Sequence, residues 1–329
     1  MGALLACYHY PMVVPTRNAL ITVALILVLV LGLYFFKTRT ANTLDSLSGE
    51  LYLTLSPLAT NQTRLYTYNL STKVLAQMAP ENSFAITASV SPNGQELALS
   101  TRPSQSTSTT TLQIHTRDQQ TGDIRQITRS STTLKRLPDW SPDGTKIAFM
   151  AQPSGAGKFL VPSDWGVYVT DLSGNEHLIS EGGYPKWSSG GDKLLFLRND
   201  GLYLYNTASS TGTALKKLWG GKVALSMKLA INQSRDMVAW TNINANDIAI
   251  LSVNFQTETA EHFTRFKGLS FWPVFSPDGR YLIVQEVDSV TGLDRPHLTA
   301  YDLSNDYKKE ILDLSDFDQG KMFLTDWKL

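Results

Sequence analysis

The chain has 329 residues, 42% hydrophobic and 18% charged, a composition that supplies a large core and excludes a disordered chain. Its 29 Lys+Arg balance 29 Asp+Glu, so the basic surplus that phosphate contacts require is missing and no nucleic-acid partner is expected. The single Cys7 excludes an internal disulfide framework and any multi-cysteine zinc site.

After a tail of residues 1–17, residues 18–36 read NALITVALILVLVLGLYFF without a charge. At about 1.5 Å per helical residue such a run spans roughly 30 Å, the thickness of a bilayer's hydrocarbon core. It lacks the polar stripe of a core helix, and Tyr34, Phe35 and Phe36 followed by Lys37 and Arg39 fit a membrane interface. The segment therefore predicts a transmembrane helix retained as an anchor. A cleaved signal peptide is the competing reading, although FFKTRTANT offers only weak cleavage positions. Residues 37–49 read as a polar linker. The flanking charges, Arg17 against Lys37 and Arg39, are nearly balanced and do not fix orientation.

Beyond residue 49 the sequence repeats. ASVSPNGQELALS (88–100), PDWSPDGTKIAFM (138–150), PKWSSGGDKLLFL (185–197), LAINQSRDMVAW (229–240) and PVFSPDGRYLIVQ (273–285) align, and TDWKL (325–329) starts a sixth copy. The anchoring apolar position falls at Val90, Trp140, Trp187, Ile231, Phe275 and Trp327. Residues 50–329 divide into six repeats of about 47, the length of a four-stranded blade. Ser-Pro-Asp-Gly is a turn: Pro presets φ, Asp bonds nearby backbone, and Gly accepts positive φ. Alternating strands follow it, as in KIAFM (146–150) and GVYVTDL (166–172), and a weaker fourth strand closes each repeat, as in EHLIS (176–180). The first repeat, with strands at 50–56, 64–70 and 73–79, lacks strand one, and FLTDWKL (323–329) is a strand one lacking the rest. The prediction is an all-β, six-bladed propeller over 50–329, closed by pairing the N- and C-terminal strands and preceded by one transmembrane helix. The repeats with Ser188–Gly191 and Asn232–Arg235 depart from the turn pattern, and the second is the more degenerate.

The turn, the aromatic before it and the period together resemble the WD40-like (PD40) repeats of TolB-type propellers. Similar propellers accompany tricorn-like and prolyl-oligopeptidase-like proteases. The resemblance implies fold far more than function, because many unrelated proteins carry this propeller. It also implies export, so the propeller is expected outside the cytoplasm, in the periplasm or at the cell surface. The absence of cysteine beyond Cys7 and the abundance of Ser, Thr and Asn agree with that.

No catalytic motif emerges, and no enzyme activity, cofactor or metal is expected. A hydrolase domain would need a Gly-x-Ser-x-Gly elbow and roughly 200 further residues. The histidines stand without ligand spacing; His177 and His262 read as solvated edge residues. Asp143, Asp278 and Asn93 are accounted for by their turns rather than by calcium. Gly155–Lys158 lacks the full phosphate-loop spacing and reads as a plain loop. The loop-bearing face collects Phe159, Trp165, Tyr184, Trp219, Trp272 and Phe317, a candidate partner-binding face. The alternative for these aromatics is that they plug the gaps between blades. The expected function is a membrane-anchored module binding a protein or peptide. The alternatives are a propeller hydrolase or lyase and a cell-wall glycan sensor, either of which would use the central channel.

Overall fold

The computed structural model describes residues 44–58, 63–78, 85–102, 112–130, 133–153, 164–207, 215–221, 228–232, 236–242, 247–267, 270–287, 296–304, 307–317 and 323–328. The predicted anchor, residues 18–36, lies outside them. Among the described residues no helix is long and apolar enough to cross a membrane. The chain divides into Met1–Ser46 and Leu47–Leu329, and every strand among the described residues belongs to the second part.

Six four-stranded antiparallel sheets form the blades. Blade one contains β1 (Glu50–Leu55), β2 (Arg64–Asn69) and β3 (Val74–Gln77), and its innermost strand is β24 (Phe323–Lys328). Blade two is β4 (Ala85–Val90), β5 (Glu96–Thr101), β6 (Gln113–Asp118) and β7 (Ile124–Gln126). Blade three is β8 (Thr133–Trp140), β9 (Lys146–Pro153), β10 (Gly166–Asp171) and β11 (Glu176–Glu181). Blade four is β12 (Gly183–Trp187), β13 (Lys193–Arg198), β14 (Gly201–Asn206) and β15 (Leu215–Gly220). Blade five is β16 (Ala230–Asn232), β17 (Met237–Asn242), β18 (Asp247–Asn254) and β19 (Thr259–Lys267). Blade six is β20 (Ser270–Phe275), β21 (Tyr281–Val287), β22 (Pro296–Asp302) and β23 (Tyr307–Asp313).

The split repeat closes the ring as the sequence predicts. Strand β24 pairs with β1, with Glu50 opposite Lys328 and Leu51 opposite Trp327. Gly49 turns into this pair at φ +97°, and a Cβ there would lie 2.1 Å from Lys328 O, so the close approach requires glycine. The Trp327 indole donates to Ser48 O at 3.0 Å.

Each blade buries both faces against its neighbours, which is why isolated repeats would not be stable. Ala98 and Ile114 of blade two meet Trp140, Ile147 and Phe149 of blade three. Val167 and Val169 of blade three meet Trp187 and Phe196 of blade four. The turns between the first two strands share one hydrogen-bond pattern. Asp143 accepts from Ser141 Oγ at 2.6 Å and Thr145 N at 3.0 Å, while Lys146 N donates to Ser141 Oγ at 2.9 Å. Ser276, Asp278 and Tyr281 repeat it, as do Ser91, Asn93 and Glu96. These bonds, the one from Ser141 foremost, hold the Asp143 carboxyl below the usual range. The outermost strands are more open and polar: β3 shows Val74 and β11 shows Leu178, with lysines on β15 and β23. Charged residues along such edges discourage pairing with other chains.

Candidate functional site

The innermost strands surround a channel of about 340 Å³. Its open end carries the turn prolines Pro92, Pro142 and Pro277, with Trp140, Phe275 and Trp327 on the wall. Five of the six anchoring positions, all but Trp187, thus line the channel as well as packing the blades.

The other end of the channel narrows, and the cause is local. In blades three, four and six the third residue before the anchor takes a left-handed conformation: Leu137 at φ 54°, Tyr184 at 62° and Trp272 at 55°. Each precedes a proline, and the register of the innermost strand slips at the same point. These are β-bulges, which redirect the strand. The Leu137 N–H that the bulge frees is taken by Thr87 Oγ1 of the preceding blade at 3.1 Å. Leu137, Tyr184 and Trp272, with Pro138 and Pro185, surround a second cavity of only about 10 Å³, room for one water. The channel is a funnel with a nearly closed floor.

Five charged side chains line the funnel: Asp139, Lys186, Lys228, Asp326 and Lys328. Both carboxylates are engaged between blades. Asp139 pairs with Lys186 Nζ and accepts the Trp187 N–H at 2.9 Å. Asp326 accepts the Val90 N–H at 2.9 Å and the Trp327 N–H at 2.9 Å. Lys228 is buried at the floor and reaches β24, where Leu324 O accepts from Nζ at 2.9 Å and Thr325 O is a second acceptor. Burial, then the like charge of Lys186, pushes this amine well below the usual lysine range, and Asp326 and Asp139 only partly compensate.

The aromatic residues singled out in the sequence do not come together on one exposed face among the described residues. Trp165 and Tyr184 are buried in one core cluster with Met150 and Leu197, the blade-plugging alternative. Trp272 joins Tyr184 at the channel floor. Trp219 is partly buried against Trp240, with ring centroids 5.2 Å apart. Phe317 lies edge-on to Tyr66 at 5.8 Å. Phe159 and Gly155–Lys158 lie outside the described residues. His177 is exposed on β11. The channel charges were the missed residues. Their signal was in the repeat columns: Asp139, Lys186 and Asp326 directly precede the anchor, and Lys228 takes the column held elsewhere by Leu137, Tyr184 and Trp272.

No protein-family model matches the chain, and no curated protein matches it. Solved structures do. TolB from Acinetobacter baumannii superposes with a TM-score of 0.63 at 18% identity, over 85% of this chain and 66% of that one. The chain resembles TolB structures in its six-bladed propeller. A putative TolB from Agrobacterium tumefaciens gives a TM-score of 0.55 at 14% identity, over 84% of this chain and 97% of that one. An oligogalacturonate lyase in complex with manganese gives 0.52 at 14% identity, over 77% and 71%. At such identities the likeness is one of fold, and the chain spans just under two thirds of the Acinetobacter TolB.

Proposed function

We propose that the protein is a membrane-anchored, extracytoplasmic binding module that offers the open mouth of its channel to a protein or peptide. One observation carries this reading. The mouth has a proline and aromatic wall, while the two carboxylates beside it are already engaged in holding backbone amides and Lys186. Such a concave surface, with proline and aromatic side chains set beside placed charged and polar groups, suits recognition. Residues 18–36 supply the anchor, and the propeller lies outside the cytoplasm. The full-length chain, tagged and detergent-solubilised, is expected to retain an envelope protein, and Pro142→Glu at the rim is expected to lose it. Failure of the parent chain to retain any partner counts against the reading. Protease added to intact spheroplasts is expected to degrade the propeller; degradation only after permeabilisation reverses the topology.

The second reading is an enzyme of hydrolase or lyase type, or a glycan sensor, using the same channel. The oligogalacturonate lyase with the same fold supports keeping it. Incubation with polygalacturonate separates the readings, since a lyase would generate an absorbing unsaturated product.

A further inference from the structure

Lys228 is 5% exposed and lies on the wall of both the funnel and its narrow floor cavity. A protonated lysine carries three donors. Leu324 O and Thr325 O take two. Among the described residues nothing accepts the third, and no carboxylate forms an ion pair with Nζ. Asp139 and Asp326 act on it only at longer range, their oxygens being committed to Lys186 and to backbone amides. Lys186 approaches from β12 as a like charge. A buried cation without a counter-ion is costly, and an apolar side chain would close the floor without that cost, as Leu137, Tyr184 and Trp272 do at the matching positions.

We propose that a ligand supplies the missing counter-ion: the channel binds a carboxylate, held at its floor by the free donor of Lys228 with Lys186 as the second cation. The funnel volume of about 340 Å³ lies within the range of small-ligand pockets, roughly 300–1,000 Å³. The inference rests on the channel mouth being the binding face, so the carboxylate belongs to a peptide, as a free C-terminus or an acidic side chain. A uronic acid presents the same group. Binding favours the charged amine, so it draws a proton onto Lys228 wherever the free protein has released it.

The test is calorimetric titration of the full-length chain in detergent with Gly-Gly-Trp, its C-terminal amide, and galacturonic acid. The free acid is expected to bind roughly tenfold to a hundredfold more tightly than the amide. Buffers of different ionisation enthalpy, between about pH 6 and 9.5, are expected to reveal proton uptake on the alkaline side. Lys228→Met is expected to abolish both effects. Should that variant unfold for want of its bonds to β24, the acid-to-amide contrast in the parent chain still decides. Galacturonic acid binding that needs Lys228 supports the carboxylate site and assigns it to a sugar. Equal affinity for acid and amide, binding of none of the three probes, no proton uptake at any pH, or uptake unchanged in Lys228→Met overturns the inference. An envelope partner retained alongside acid–amide indifference overturns the carboxylate site alone. Acid binding without any retained partner overturns the protein-binding reading instead.

Discussion

Asp326, in the last strand, accepts the backbone N–H of Val90 at 2.9 Å, tying the closing strand of blade one to the innermost strand of blade two. Asp139 does the same between blades three and four, accepting the Trp187 N–H at 2.9 Å. Both aspartates directly precede a tryptophan anchor, so one residue packs a blade while its neighbour clasps the next.

Removing residues 323–329 would open this ring. It deletes the pairing with β1, the Asp326 and Trp327 hydrogen bonds and the acceptors of Lys228. Leu324 and Trp327 are buried, and each such side chain contributes about 1.5–3 kcal/mol. Calorimetry of the full-length and truncated chains is expected to show a much lower unfolding midpoint for the truncation. Equal midpoints would refute closure by these strands.

Gly49→Ala probes the same closure without deleting a contact. The added Cβ would meet Lys328 O at 2.1 Å, and the positive φ of 97° would be strained besides. A loss of about 1–3 kcal/mol is expected in urea unfolding. A neutral outcome would mean that the junction relaxes freely.

The two clasps are expected to differ in strength. Asp326→Ala leaves one inter-blade N–H unmet, a loss of about 1–3 kcal/mol. Asp139→Ala does that and also strands Lys186, whose side chain is only 17% exposed beside the like charge of Lys228. Its loss is expected to be larger, about 3–5 kcal/mol. Denaturant unfolding of both variants checks the order, and the reverse order would contradict the ion-pair assignment.

Glu286 governs part of the acid response. Burial alone would raise its pKa, but hydrogen bonds from Tyr301 and Thr299 Oγ1, the latter at 2.8 Å, with Lys308 at 3.4 Å, outweigh it and lower the value below 4.5. The unfolded chain therefore binds the proton more readily. The stability contribution is complete above the unfolded value, near 4.5, and fades as pH falls through the lower folded value. Glu286→Gln is expected to cost most at neutral pH, with the difference from the parent chain shrinking in acid. A difference independent of pH between neutrality and about pH 3 would dismiss this role.

The blade count, the strand positions and the closure were legible in the sequence because they rest on local signals. Period-two alternation and the turn of which Ser141–Gly144 and Ser276–Gly279 are the full form act over a few residues and come back with a period near 47, and a single repeat is cut between the two ends. Strands expected at 64–70 and 166–172 occupy Arg64–Asn69 and Gly166–Asp171. The site was not legible in the same way. Trp165 and Tyr184 lie next to glycines in loop-like sequence, yet the left-handed bulge at Tyr184 turns that side chain into the core. Lys228 and Leu324 are 96 residues apart and meet only because the ring closes. Whether a lysine is solvated or buried without a counter-ion depends on which distant strands surround it. That is fixed by the packing of the blades around the channel, and no local pattern carries it.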